Sequence, residues 1–438
     1  MRRTIRGWYF FDWASQPYAT LLTTFIFAPY MARIMGDGTA AQTVWGYGLA
    51  VTGVLIAIGA PLAGAVADRA GGHMRFIILF SGMYVAGAWG LWWAEPDEPR
   101  VLWTIFCFGL GLVGMEYATT FTNALMPQLA PRAELGRISG SGWAFGYVGG
   151  VLALVLMLLF FQEGTEGTTL IGLPPAFGLD PAQAEGTRAV GPFTAIWYLL
   201  FMIPFFAFVR LPAGRGQPIR SALRHAVPDL MASLRRLMRD RPLGGFLAAS
   251  MLYRDALNGI YAFGGIYAAG VLGWQVQDVG LFGILAAITG AAGAWIGGRA
   301  DRRFGPRPVI ILCLITLTLA ALTVAGIAPD AIFGLRVAPS LPHIAFYATG
   351  ALIGAAGGAL QAASRTLLIH RAEPSRITEA FGLYALSGKA TAFLAPLLIG
   401  IATQISGSQR IGVLPVIALF LVGLAVLCWA RPKDGSAS

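Results

Sequence analysis

The sequence predicts an all-α integral membrane protein of twelve transmembrane helices, arranged as two six-helix bundles related by an internal repeat. Three observations predict it. The 438 residues are 56% hydrophobic and only 12% charged, with a mean hydropathy of +0.67, against about 25% charged residues in a soluble domain. Apolar runs of about 20 residues, the length that crosses a bilayer, recur along the whole chain. Two charged motifs occur twice in the same order. Gly64, Asp68, Arg69, Gly71 and Arg75 return as Gly297, Asp301, Arg302, Gly305 and Arg307, with the acids 233 residues apart. Arg132–Ser139 returns as Arg371–Thr378, displaced by 239 residues. A repeat of this size in a membrane chain is a transporter signature.

The spans run roughly over 8–32, 42–66, 75–94, 101–126, 138–161, 193–210, 243–271, 279–298, 308–328, 343–368, 379–403 and 411–430; they are numbered 1 to 12 here. Arg2, Arg3 and Arg6 precede span 1, but Asp12 and Pro17 interrupt its apolar run and no small-residue cleavage site follows. It therefore reads as a first span rather than a cleaved leader. Glycine is abundant, 57 residues, and lies within the spans, where small residues let helices approach closely. Those at 146, 149, 150, 350, 354, 357, 358, 382 and 388 fit close packing of spans 5, 10 and 11.

Placing the N-terminus inside puts 24 of the 31 Lys and Arg residues in cytoplasmic segments. Arg33, Arg100, Arg188, Arg336 and Arg410 fall in outer loops and two cations fall inside spans. This positive-inside bias makes both termini cytoplasmic. It also accounts for the net charge of +10 without nucleic acid. The expected domains are residues 1–210, a linker 211–242, and 243–438. Within the linker, Leu223, Val227, Leu230, Met231, Leu234, Leu237 and Met238 recur at helical spacing, with Arg224, Arg235, Arg236 and Arg239 on other faces. That predicts a basic amphipathic helix over 221–241 on anionic lipid of the inner leaflet. The outer loop 162–192 is rich in Gly, Pro and Thr and reads as a connector. Cys107, Cys313 and Cys428 lie in spans, with no metal spacing. No cofactor is expected.

Charges inside spans carry the functional argument: Asp12 in span 1, Glu116 in span 4, Arg254 and Asp255 in span 7, and Lys389 in span 11. Each costs about 2.5–3.5 kcal/mol at a helix centre, so each must pair or face water. Lys389 and Lys433 are the two lysines of the chain. Glu116 has no charged side chain within a helical turn. Burial then favours its protonated acid, and it is the candidate proton carrier. Asp255 and Lys389 form either a zwitterion-binding site, with Arg254 or Lys389 on a carboxylate and Asp255 or Glu116 on an amine, or a structural pair between spans 7 and 11. Adjacent helical residues point about 100° apart, so Arg254 and Asp255 cannot face one point. Asp12 is expected to pair with Arg365 or a helix N-terminus. Asn123, Asn258, Gln361, Tyr147, Tyr384 and Trp143 are candidate cavity polar or stacking groups. No phosphate-cradling loop is present, which disfavours direct ATP drive. No Ser–His, paired-carboxylate or His-rich constellation supports an enzyme.

The twelve spans, the two halves and the Gly-Asp-Arg-Gly motif resemble the major facilitator superfamily. The second motif copy departs from it, since Asp301 and Gly305 are four apart where three is usual, and the first has an extra residue before Arg75. In that fold spans 1, 4, 7 and 10 line a central cavity with 2, 5, 8 and 11 beside them, which is where the buried charges fall. The resemblance implies that Asp68, Arg69 and Arg75, and Asp301, Arg302 and Arg307, form inner-gate charge clusters. Within the superfamily the chain resembles the vacuole-effluxer-like group, bacterial relatives of an autophagy-linked vacuolar amino-acid exporter. The matching residues are Asp12–Tyr18, Asn123–Pro127, Ser139–Ala144 with Gly146, Tyr147, Gly149 and Gly150, Tyr253 and Asp255, Gly357, Gly358, Gln361, Ser364 and Arg365, and Phe381–Tyr384 with Ser387, Gly388 and Lys389. Ala256 stands where the group has glycine. The resemblance implies a monomeric secondary transporter of the bacterial inner membrane, moving an amino-acid-like solute by alternating access with a proton as coupling ion. A lipid or drug exporter, or a transporter-like sensor that no longer cycles, are the alternatives.

Overall fold

A computed structural model describes residues 2–70, 73–96, 100–125, 132–209, 228, 241–371, 383–384, 386–388 and 390–430. Side chains at 2, 60–62, 64–70, 124, 132–140, 143, 144, 241 and 302 are not among those described. The expected linker helix therefore lies outside the described residues, as do Lys389 and the side chains of Asp68, Arg69 and Arg302.

The chain is mostly helical. Among the described residues, eight helices are long and apolar enough to cross a membrane: Gly38–Gly59, His73–Trp93, Val101–Asn123, Glu185–Phe208, Val276–Asp301, Pro306–Gly326, Ser340–Arg371 and Gln409–Trp429. The four expected spans not among them are 1, 5, 7 and 11, and for spans 1, 7 and 11 the reason is visible. Span 1 is built of three pieces, Arg2–Pro17, a π-helical stretch Tyr18–Phe25, and Phe27–Met35. The π-helix follows Pro17, which has no N–H to give the preceding turn. Span 5 lies in one helix, Arg132–Phe160, whose described side chains give an apolar stretch over Phe145–Phe160. Span 7, Arg241–Leu272, carries Arg254, Asp255 and Asn258 in its middle. Span 11 is broken: residues 391–393 form a turn, and a new helix runs Leu394–Ser406.

Two compact units interleave along the sequence. One comprises Met1–Ala41, Ile58–Val227 and Ala268–Leu281; the other comprises Gln42–Ala57, Pro228–Tyr267 and Phe282–Ser438.

In the first unit span 1 packs on spans 5 and 6, and span 3 on span 4. Glycines of span 5 seat span 1: a Cβ at Gly142 would lie 2.6 Å from Asp12 Oδ2, and one at Gly149 2.9 Å from the Trp13 ring. Span 1 also meets an aromatic cluster drawn from spans 5 and 6. Trp13 stacks on Trp197 at 6.1 Å and meets Phe145 at 4.5 Å, and Trp197 Nε1 donates to Trp13 O at 3.1 Å.

In the second unit span 9 packs on spans 10 and 12, and span 11 on span 12. The piece Gln42–Ala57 packs on span 11 through glycine: a Cβ at Gly46 would lie 2.8 Å from Gly400 Cα, and one at Gly53 2.8 Å from Phe393 Cα. Three two-residue strands, β1 (Ile327–Ala328), β2 (Ala331–Ile332) and β3 (Leu335–Arg336), form an antiparallel meander after span 9.

Candidate functional site

Span 7 offers two neighbouring charges, and the helix sends them to opposite sides of the break in span 11. The Arg254 guanidinium donates to Tyr384 O at 2.9 Å and lies 4.2 Å from the Tyr384 ring centroid. A Cβ at Gly388 would meet that guanidinium at 2.5 Å, so glycine is the residue that fits there. Tyr384 in turn stacks on Phe246 at 6.1 Å. Asp255 is 1% exposed. Its Oδ2 accepts the Ala395 N–H at 2.8 Å, in the first turn of Leu394–Ser406. The first four N–H groups of a helix have no intrahelical partner, and the positive end of the helix dipole favours an anion there. Asp255 thus caps the second half of a broken span across 140 residues of sequence. Its Oδ1 is buried without a hydrogen bond. The sequence carries one signal for the break, Pro396, which removes a donor in that first turn.

The helix bearing Tyr253 also fixes span 10, where the Tyr253 and Ser364 hydroxyls are 2.8 Å apart and fully buried. Gln361 and Arg365 are half-buried on the same span. Asn258 is exposed on the surface of this unit. In the first unit Asp12 and Glu116 are half-buried and Asn123 and Tyr147 exposed. The Glu116 carbonyl accepts the Thr120 hydroxyl at 2.9 Å. The expected cross-helix pair of Asp255 with Lys389 lies outside the described residues.

Of the charges expected at the gates, Arg75 is exposed and Asp301 is buried, with Oδ1 lacking a hydrogen bond. Arg307 turns to the last turn of span 12, donating to Leu427 O at 3.3 Å and Cys428 O at 3.0 Å. A cation on the free carbonyls of a helix C-terminus is favourable.

Three polar clusters were not foreseen. Gln42 and Gln409 are buried and pair with each other; Gln42 Nε2 donates to Thr403 Oγ1 at 2.7 Å and to Gln409 O at 3.2 Å, while Gln409 Nε2 donates to Gln42 Oε1 at 3.2 Å. Glu163 is 1% exposed and accepts both the Thr187 N–H at 2.9 Å and the Thr187 hydroxyl at 2.7 Å. The segment after span 5, expected as a connector, is therefore tied to the start of span 6. The Glu163 carboxyl is pushed above the usual range by burial, opposed by the Thr187 bonds and the Arg33 charge. Gln277 adds bonds to Gln162 O at 3.4 Å and Thr168 O at 3.2 Å. The third cluster is duplicated. Arg188 donates to Trp92 O at 2.8 Å and Gln183 O at 3.3 Å, and pairs with Glu95 at 3.2 Å. Arg410 donates to Ala325 O at 3.1 Å and Gly326 O at 3.2 Å. One arginine lies at the start of span 6 and closes the end of span 3; the other lies at the start of span 12 and closes the end of span 9.

The described residues are mostly helical, eight of their helices are long and apolar enough to cross a membrane, and their fold is that of multi-pass transporters of the major facilitator type. Solved structures agree on the fold: a D-xylose–proton symporter (TM-score 0.68, 13% identity, 98% of both chains) and the nucleoside transporter NupG (TM-score 0.61, 13% identity, 98% of this chain and 99% of its own). A family model described as vacuole effluxer Atg22 like matches residues 31–437, and the chain belongs to that family. An uncharacterized MFS-type transporter, YxiO of Bacillus subtilis, is 22% identical over 98% of this chain and 95% of its own. Autophagy-related protein 22-1 of Aspergillus niger is 26% identical over 68% of this chain and 48% of its own. The chain thus spans about half the length of that fungal relative.

Proposed function

We propose that this protein is a secondary active transporter that moves a small zwitterionic solute, amino-acid-like, across the bacterial inner membrane by alternating access, driven by a proton gradient. The observation that supports the reading is the set of charged and polar groups that these apolar helices carry: Asp12, Glu116, Asn123, Tyr147, Arg254, Asp255, Asn258, Gln361 and Arg365. Such groups are expensive in lipid and mark water-filled solute and ion paths. Acids and cations are both present, which suits a solute bearing an amine and a carboxylate. In this reading Glu116 carries the coupling proton and Asp68, Arg69, Arg75, Asp301, Arg302 and Arg307 form the inner gates. Lys389 supplies a cation to the solute carboxylate, and both termini and the 211–242 linker lie on the cytoplasmic side. The halves that rock are residues 1–210 and 243–438, in a monomer. Fold neighbours named as a sugar–proton symporter and a nucleoside transporter support a small polar solute by analogy.

Counterflow tests the solute class apart from the driving force. Proteoliposomes loaded with unlabelled amino acids should accumulate labelled amino acid transiently without any gradient. A second reading, an exporter of lipids or drugs, has one observation behind it. An apolar groove of about 1370 Å³, open at the surface of the first unit, lies between spans 3, 4 and 6, lined by Ile78, Val85, Trp89, Phe106, Leu199 and Ile203 among others. Counterflow of a lysolipid with none of any amino acid would select that reading.

A further inference from the structure

We propose that Asp255 is a proton-binding site whose charge state sets the joint in span 11. The inference rests on the reading of the chain as a proton-coupled transporter and adds a second proton site to it. Three observations lead there. First, the carboxyl is 1% exposed and has one hydrogen bond, from Ala395 N–H, while Oδ1 has none. A buried carboxylate normally gathers two or three donors to stay ionised, and leaving a charge so poorly satisfied in an apolar place is costly. Second, the charged and titratable neighbours on its own helix are engaged elsewhere. On its own helix Arg254 bonds Tyr384 O and covers that ring, and Tyr253 bonds Ser364 on span 10. On span 10 the charged Arg365 follows Ser364, half-buried. Leu394–Ser406 and Leu414–Trp429, packed against this part of span 7, contain no Asp, Glu, Lys, Arg or His. Lys389 is the remaining cation of span 11. Third, the acceptor is the free end of a helix that begins at a break, so its loss has a mechanical consequence.

The step is a single protonation. A proton from water adds to Oδ1, the carboxylate becomes a carboxylic acid, and no other covalent bond changes. Oδ2 then offers Ala395 a neutral hydrogen bond in place of a charge-assisted one, which is roughly twice as strong, and the helix dipole loses its anion. Arg254 keeps its hold on Tyr384 before the break while Asp255 relaxes its hold after it. The two arms of span 11 are thereby released from each other, and deprotonation locks them again. This is how a proton can act on a helix without touching the solute.

The test uses the full chain in nanodiscs and needs no substrate. Infrared difference spectra across pH should show a protonated-carboxyl C=O stretch that titrates and is lost in Asp255→Asn, with Asp255→Glu shifting rather than removing it. Hydrogen exchange over residues 391–397, corrected for intrinsic pH dependence, should quicken on acidification in the wild type. It should be quick at every pH in Asp255→Asn. A carboxyl band unchanged by both substitutions, or exchange at the joint indifferent to pH, overturns the proposal, as does a permanently ionised Asp255 paired with Lys389. A chain that carries no amino acid but shows the titrating band leaves this site standing and sinks only the solute assignment.

Discussion

Tyr267 makes in the second half of the chain the bond that Tyr30 makes in the first. Tyr30 OH donates to Ala94 O at 2.6 Å, just after span 3. Tyr267 OH donates to Val324 O at 2.7 Å and is 3.1 Å from Ile327 O, at the end of span 9. The two tyrosines are 237 residues apart, between the 233 and 239 of the sequence repeats. Arg188 and Arg410 complete the pattern on the same helix ends. The duplication therefore survives as chemistry: a phenol from the first span of each half and a guanidinium from the start of its last span satisfy the carbonyls that end the third.

That equivalence predicts matched effects. Tyr30→Phe and Tyr267→Phe each leave buried carbonyl groups short of a donor, worth about 1–3 kcal/mol. With no shared partners the double variant should be additive. Thermal unfolding of the purified protein checks it; a large loss for one and none for the other would break the equivalence.

Arg188 should matter through its carbonyl bonds, not its ion pair. Its side chain is 5% exposed, but Glu95 is 37% exposed, and a pair that reaches solvent is worth about 0–1 kcal/mol. Glu95→Gln should be close to neutral. Arg188→Lys should destabilise almost as much as Arg188→Met, because an ammonium cannot reproduce the planar fork that reaches Trp92 O and Gln183 O. Equal losses for Glu95→Gln and Arg188→Met in unfolding would place the energy in the ion pair instead.

How much of this was readable from sequence follows the kind of interaction. Length and hydropathy find helices, so the eight uninterrupted spans and the duplicated halves were plain. The breaks at Tyr18–Phe25 and 391–393 were not, because a proline's effect depends on whether a neighbour repairs the lost bond. Arg254 and Asp255 stood out as charges, and the 100° argument separated them correctly. Their targets are backbone groups of Tyr384 and Ala395, which have no residue-type signature. For the same reason Arg188 and Arg410 read only as loop charges, Glu163 fell in a segment read as a connector, and Gln42 and Gln409 did not stand out at all.

Glu163 gives the chain a pH dependence of known sign. Its folded carboxyl binds protons more tightly than the unfolded one, whose value is about 4.3, because burial disfavours the charge. The stabilisation is full below the unfolded value and is lost as pH rises toward the raised folded value. Glu163→Gln, which can still accept from Thr187, should flatten this part of a stability–pH curve. A curve unchanged by the substitution would show that Glu163 does not titrate in this window.

Gln42 should hold residues 42–57 in the second unit. Gln42→Leu leaves the Thr403 hydroxyl, the Gln409 amide and the Gln409 carbonyl without this partner. Hydrogen exchange in 42–57 should quicken, with little change over Pro306–Gly326. Quickening spread evenly over both segments would make the effect general destabilisation rather than local release.

Gradient-driven uptake tests the proposed function most directly. Proteoliposomes bearing the wild type or Glu116→Gln are given labelled amino acids with and without an inward-directed proton gradient. Coupled transport predicts uptake that the gradient drives above equilibrium in the wild type and that Glu116→Gln reduces to the gradient-free level while retaining counterflow. Uptake equal with and without the gradient, or fully driven in Glu116→Gln, would contradict proton coupling through that residue.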